Sequence, residues 1–173
     1  QKMVQAQFQL VATEIPHQYQ LRVSWPIEVK SVVIENEGSK VFESQSGNSF
    51  VLTLKDNSQF HVRVFNADQS NLSLIGEHQG VTPKDFSVMS RLELKQDTEI
   101  EAHRVFLLNQ AQVQTNGYLL TIKSQELISD YAEIISFEEG SKVGLGLDGK
   151  NGGLVHIISQ QASGHMRIHL RGQ

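Results

Sequence analysis

The amino-acid sequence predicts an all-β protein in two parts, an N-terminal β-sandwich over residues 1–83 and a short parallel, β-helix-like solenoid over residues 84–173. Three observations predict this class. Short alternating apolar segments separated by turn residues fill the first part. A pair of alternating apolar residues recurs at fixed spacing in the second part. Thirteen glycines with few alanines favour turns and strands over helices.

The N-terminal part carries repeated strand signals. Alternation of apolar and polar residues predicts strands at residues 8–12, 19–25, 29–34, 50–54 and 60–65. Turn-forming residues lie between several of these segments, at 35–38, 46–48 and 55–58. Short strands joined by such turns are typical of a β-sandwich.

Two segments resemble parts of a fibronectin type III domain, which is an immunoglobulin-like β-sandwich. Residues 21–26 resemble its second strand, in which a tryptophan fills the core, and Trp25 stands at that place. The resemblance implies that Trp25 is a core residue, whereas an exposed tryptophan would suggest a platform for a sugar ring. Alternating apolar neighbours favour the core position.

The second segment, residues 54–64, resembles the tyrosine corner and sixth strand of that domain. Leu54 lies six residues before the aromatic residue, as it does in the family. Two positions depart from the family pattern, because Phe60 replaces the tyrosine and Asp56 replaces the proline. The hydroxyl bond of the corner is therefore not expected here.

The second part, after a junction at residues 81–85, shows the repeat that predicts a solenoid. Each leading apolar pair is followed 11 or 12 residues later by a trailing pair, and the first two units lie 20 or 21 residues apart. The leading pairs are Ile100/Ala102, Leu120/Ile122 and Val155/Ile157, and the trailing pairs are Ala111/Val113, Ala132/Ile134 and Met166/Ile168. Equivalent short strands at such a repeat are expected to stack as coils.

One segment of this part also fits a helix. Residues 124–137 place apolar side chains at helical spacing, and Ser124 is a suitable N-cap. Periodicity alone does not separate a short helix from a strand. The recurrence of the 11–12 residue offset in all three units favours strands.

A glycine-rich insertion at residues 138–153 interrupts the repeat. Residues 144–149 match a dinucleotide-binding fingerprint, but a strand pattern follows instead of the helix that this motif needs. Asp148 and Asn151 are weak candidates for a calcium turn, since calcium needs six to eight oxygen ligands. A loop whose glycines adopt positive φ is the simpler interpretation.

The insertion, together with residues 164–173, resembles segments of uncharacterised exported bacterial surface proteins in which strand repeats lead into glycine-rich tails. The resemblance implies a longer natural chain. It also implies an open solenoid edge that a further repeat or a second copy would cover.

The composition excludes some classes of partner. A net charge of −4 and a pI near 6.0 argue against a nucleic-acid-binding protein. No apolar run is long enough for a transmembrane segment, and the absence of cysteine excludes disulfides and thiolate chemistry. A surface rich in Gln, Asn and Ser with little Lys favours an exported protein, periplasmic or at the cell surface.

No catalytic, cofactor-binding or strong metal-binding motif is found. His156 and His169 fall on outward positions and form a weak candidate pair of metal ligands that lacks a third ligand. Glu99, Glu101 and Glu133 form a weak candidate face for a glycan ligand, because polysaccharide-cleaving solenoids carry clustered acids on an outer face. Exposed glutamates on a strand more often serve only solubility.

The sequence therefore predicts a non-enzymatic exported bacterial envelope or surface protein with a structural or adhesive role and without a cofactor. Its expected partners are a glycan, another envelope protein or a second copy that pairs with the open edge. Two alternatives stay open. One is a carbohydrate-binding or polysaccharide-cleaving β-helix protein, and the other is a trimeric fibre or tail-spike-like element.

Overall fold

The computed structural model describes residues 5–138 and 151–173, and these residues form strands, turns and loops without a helix. The chain divides into two compact units, Gln1–Pro83 and Lys84–Gln173. The first unit contains β1 (Gln7–Ala12), β2 (Gln18–Ser24), β3 (Val32–Asn36), β4 (Ser39–Ser44), β5 (Ser49–Lys55), β6 (Gln59–Asp68) and β7 (Asn71–Val81). The second contains β8 (Asp85–Val88), β9 (Arg91–Glu93), β10 (Thr98–Leu107), β11 (Gln112–Gln114), β12 (Leu119–Ile135) and β13 (Leu154–His169).

The first unit consists of two antiparallel sheets with strand orders β1-β2-β5 and β4-β3-β6-β7. Alternation decides which side chains are buried, because neighbours on a strand face opposite sides. In β2, Leu21 and Val23 are buried while Arg22 between them is exposed. Trp25 and Phe60 belong to the same buried cluster, so the prediction that Trp25 is a core residue is confirmed.

The all-β class is confirmed, but the predicted immunoglobulin or fibronectin III-like sandwich is wrong. The unit is described by two separate antiparallel sheets that share no strand, and no closed sandwich is formed. The physical reason lies in the kind of signal used. Alternation and turns specify antiparallel strands, but they contain no information on how two sheets close against each other.

The second unit is built on one parallel sheet. Its order is β8-β10-β12-β11-β9, and β13 pairs with β12 along nearly its whole length. Each pairing in this sheet is parallel. The sheet curls into a half-barrel instead of winding into coils.

The predicted β-solenoid is therefore wrong, and β12 shows why. A solenoid would place the leading pair Leu120/Ile122 and the trailing pair Ala132/Ile134 on two strands separated by a corner. Both pairs lie on the single strand Leu119–Ile135. Residues 123–131 contain neither glycine nor proline to end that strand. The chain bends instead at a bulge between Asp130 and Ala132, and a bulge bends a strand without ending it. The same strand excludes the alternative helix at residues 124–137.

The core of this unit is made of rows of inward side chains that lie in register across the parallel strands. Ile100, Ile122 and Ile157 form one such row, which continues the spacing seen in the sequence. A second row places Val113, Ile134 and Ile168 side by side. Stacking like residues in this way buries the inner strands β10, β11 and β12 most completely.

A buried ion pair joins the first two strands of the sheet. Arg104 on β10 lies opposite Asp85 on β8, with Nη2 2.7 Å from Oδ2 and Nε 3.3 Å from Oδ1. The Arg104 side chain is 4% exposed and the Asp85 side chain is fully buried. The Arg104 guanidinium also lies 4.8 Å from the centre of the Phe106 ring. The charges are thus satisfied inside the protein rather than by water.

We expect Asp85→Ala to destabilise the second unit by about 3–5 kcal/mol, because Arg104 would stay buried without its carboxylate. Hydrogen exchange of the β10 amides measures this loss. The double variant Asp85→Leu with Arg104→Met is expected to recover most of the stability. Glu99→Ala, which breaks an exposed ion pair on the same strand, serves as the control and should change exchange little. A loss in Asp85→Ala no larger than in this control would contradict the prediction.

Gly164 fixes the approach of β13 to β12. Its φ is +85°, and a Cβ at this position would clash with the carbonyl oxygen of Ser129. The clash is with backbone, so only glycine fits.

Gly164→Ala should therefore destabilise the β12–β13 pairing by more than about 1 kcal/mol. Gly47→Ala is the matched control, since Gly47 has φ +81° but no atom within 4 Å of the added Cβ. It carries the backbone strain without the clash. Hydrogen exchange in β13 should rise in the first variant, while the strands around Gly47 should lose less protection in the second. Equal effects would show that the contact with Ser129 is unimportant.

Candidate functional site

The glutamates singled out in the sequence lie at two separate places on the parallel sheet. Glu99 on β10 is opposite Thr121 on β12, and His156 on β13 follows in the same row. Glu133 lies twelve residues further along β12 than Thr121, a path of about 40 Å of extended strand. Glu99 and Glu101 share one outer face, as alternation predicts, but Glu133 does not join them.

Each of these places pairs a carboxylate with a cation. Lys123 Nζ lies 2.8 Å from Glu99 Oε1, and Glu101 is opposite Lys123 in the ladder. The hydrogen bond and charge of Glu99 raise the pKa of Lys123, with a smaller contribution from Glu101. Arg167 Nη2 lies 3.6 Å from Glu133 Oε2. A glycosidase needs one protonated acid facing a second carboxylate across the bond to be cleaved, and these ion pairs are a different arrangement.

The candidate metal ligands are also far apart along the chain. His156 and His169 lie on the same strand, β13, separated by thirteen residues, rather than on adjacent strands. His156 is in the row of Thr121, and His169 is in the row of Ile135. Among residues 5–138 and 151–173, no three His, Asp or Glu side chains are grouped to hold a metal ion. Asn151 is exposed just before β13, and Asp148 lies outside the described residues.

A pair of aromatic rings beside the β12 bulge was not singled out in the sequence. Tyr131 is the inserted bulge residue, and its ring stacks on that of His165 with centroids 4.7 Å apart and planes 24° from parallel. The rings border a cleft of about 490 Å³. It is lined by Gln110, Tyr131, Ala132, Glu133, His165, Met166 and Arg167. The sequence does contain a signal for this irregular strand. The apolar alternation shifts by one position between Ile122 and Leu127, and it shifts again before Ala132.

A second cleft of about 480 Å³ adjoins the ion pair between Glu133 and Arg167. Its charged lining residues are Glu133, Glu138, Arg167 and Arg171, together with His169. Glu138 also binds Arg91 at 2.9 Å, and this hydrogen bond raises the pKa of Arg91. The alternating charges leave the cleft without a strong preference for either sign of ligand.

Strand β13 forms an edge of the sheet. Within the described ranges it pairs only with β12, so the opposite side of its ladder has no partner strand. Apolar side chains are exposed along it, with Leu154 at 53%, Ile158 at 59% and Ile168 at 44%. An edge of this length with exposed apolar residues is a surface on which another strand can add.

No protein-family model and no curated protein sequence matches the chain. None of the described residues forms a helix of the length and hydropathy needed to cross a bilayer.

The Lys123 pair gives a prediction for pH dependence. Glu99→Gln should lower the pKa of Lys123 toward its ordinary value of 10.5, because the main cause of the shift is removed. Since the folded pKa is raised, the pair stabilises the protein fully below pH 10.5, and this contribution is lost as the pH rises through the folded pKa. NMR titration of the Lys123 side chain measures the shift.

Glu101→Gln is the matched control for this titration, because Glu101 acts on Lys123 only through its charge. It should move the pKa in the same direction by a smaller amount. An equal or larger effect of Glu101→Gln would contradict the assignment of Glu99 as the partner of Lys123.

Proposed function

We propose that the chain is a non-enzymatic structural or adhesive module of an exported bacterial envelope or surface protein, and that it associates with a second copy through β13. The observation that carries the proposal is that apolar core side chains become exposed to solvent at β13. Along one inward row, Val113 is 1% exposed and Ile134 is fully buried, but Ile168 on β13 is 44% exposed. The row ends in solvent at the place where a further strand would cover it.

A second copy fits this edge because the inward residues of β13 are arranged symmetrically. When β13 is paired antiparallel with β13 of a second copy so that Val155 faces Ile168, Ile157 faces Met166 in the same register. Val155, Ile157 and Met166 each pack against the core of their own unit while staying partly exposed. Each copy then covers the open rows of the other, which is the condition for a closed two-fold interface.

The exported location is supported by the composition and by the resemblance of the glycine-rich region to bacterial surface proteins. The lack of cysteine and the Gln-, Asn- and Ser-rich surface agree with it. A polysaccharide-cleaving role is less well supported, since the Glu99 and Glu133 carboxylates each form an ion pair with a basic side chain. A trimeric fibre would use the same edge with a different symmetry, so the mass in solution separates the two assemblies.

Cysteine crosslinking tests the register, because the natural sequence contains no cysteine. In the proposed pairing Gln161 faces Ala162 of the second copy, so an equal mixture of the Gln161→Cys and Ala162→Cys chains should form a disulfide between two copies on mild oxidation. Leu154→Cys is the matched control. The two copies of residue 154 would lie about 50 Å apart, at opposite ends of the paired strands, so they should stay reduced.

The mass in solution completes the test. The unmodified chain should be dimeric, and Ile158→Lys should make it monomeric by placing a charge on the edge strand. Far-ultraviolet circular dichroism checks that this variant keeps its strands. A monomeric parent chain, a trimer, or crosslinking of the Leu154→Cys control equal to that of the mixed Gln161→Cys and Ala162→Cys chains would overturn the proposal.

A further inference from the structure

Tyr131 occupies a backbone position that does not favour a tyrosine. Its φ is +53°, in the left-handed region that large side chains rarely adopt. Elsewhere in this unit left-handed positions hold residues suited to them, since Asn109 in the turn between β10 and β11 has φ +57° and Gly164 on β13 has φ +85°. The backbone therefore does not require an aromatic residue on β12.

Core packing does not require the ring either. Tyr131 is 63% exposed, whereas the other described tyrosine, tryptophan and phenylalanine residues are buried or half-buried. A strained residue that contributes little to the core is typical of a site that uses its side chain for another purpose. The ring is nevertheless held in place, because it stacks on His165 at 4.7 Å.

The surroundings of the ring define a ligand. The cleft of about 490 Å³ falls in the size range of small-ligand sites and combines a flat aromatic surface with polar groups at its side. Arg167 offers donors, Glu133 offers acceptors, and Gln110 offers both. The opposite charges of Arg167 and Glu133 lie 3.6 Å apart and compensate each other, so a neutral ligand rich in hydroxyl groups fits better than an ion.

We propose that this cleft binds a neutral pyranose ring of a glycan, with an apolar face of the sugar against the Tyr131–His165 rings and its hydroxyl groups bonded to Glu133 and Arg167. The apolar CH face of a pyranose matches an aromatic plane, while the ring of hydroxyl groups around it needs both donors and acceptors. The site goes beyond the proposed self-association and does not depend on it. In an adhesive module it would supply the contact with a polysaccharide.

Titration with maltohexaose, cellohexaose and chitohexaose, followed by NMR shifts of the Tyr131 ring and by calorimetry, tests the site. Saturable binding of at least one oligosaccharide is expected, with the largest shifts at Tyr131 and His165. Tyr131→Gly should weaken binding at least tenfold, the effect of losing about 1.4 kcal/mol of contact. This variant relieves the left-handed strain, so it is expected to keep the fold. Tyr131→Phe is the matched control and should stay within about threefold of the parent chain, because the ring remains.

The polar side of the cleft has its own variants. Glu133→Gln and Arg167→Gln should each weaken binding severalfold while leaving the Tyr131 ring in place. Absence of saturable binding to all three oligosaccharides at about 10 mM, well above a millimolar Kd, would overturn the proposal. Unchanged binding in Tyr131→Gly would overturn it as well. The monomeric variant Ile158→Lys should still bind, so failure of the dimer and failure of the sugar site can be told apart.

Discussion

The second unit depends on one constraint, the registration of inward apolar side chains across parallel strands. Rows such as Ile100, Ile122 and Ile157 run across the sheet, and a member on an inner strand, such as Ile122, has a row neighbour on each side. Full burial of such a side chain, which needs a neighbour on both sides, contributes about 1.5–3 kcal/mol. The inner strands meet this condition, and β13 does not. The exposed edge is thus a direct result of the same arrangement that stabilises the centre of the sheet.

The sequence allows much of this sheet to be predicted. The spacing of apolar pairs identified the residues that stack, and Trp25 was correctly placed in a core. The spacing did not reveal that the leading and trailing pairs of β12 share one strand, because the bulge that bends β12 contains neither glycine nor proline. The solenoid prediction treated each apolar pair as a separate short strand. Similarly, alternation in the first unit specified strands but not the closure of two sheets.

The charged residues show a second limit of sequence reasoning. Arg104 and Asp85 are nineteen positions apart and look like surface residues in the sequence, yet they are buried as a pair. Only the parallel register of β8 and β10 brings them together. The structure separates Glu133 from Glu99 and Glu101 for the opposite reason. Alternation predicts the side of the sheet correctly, but distance along a long strand separates the residues.

The bend at Gly164 has a consequence for selectivity at the open edge. A straight, flat strand of sixteen residues would accept nearly any extended peptide and would be prone to indiscriminate fibrillation. The left-handed glycine interrupts the regular pleat of β13, so a regular extended strand cannot continue the same pairing along its whole length. The break thereby discourages amyloid-like growth on this edge.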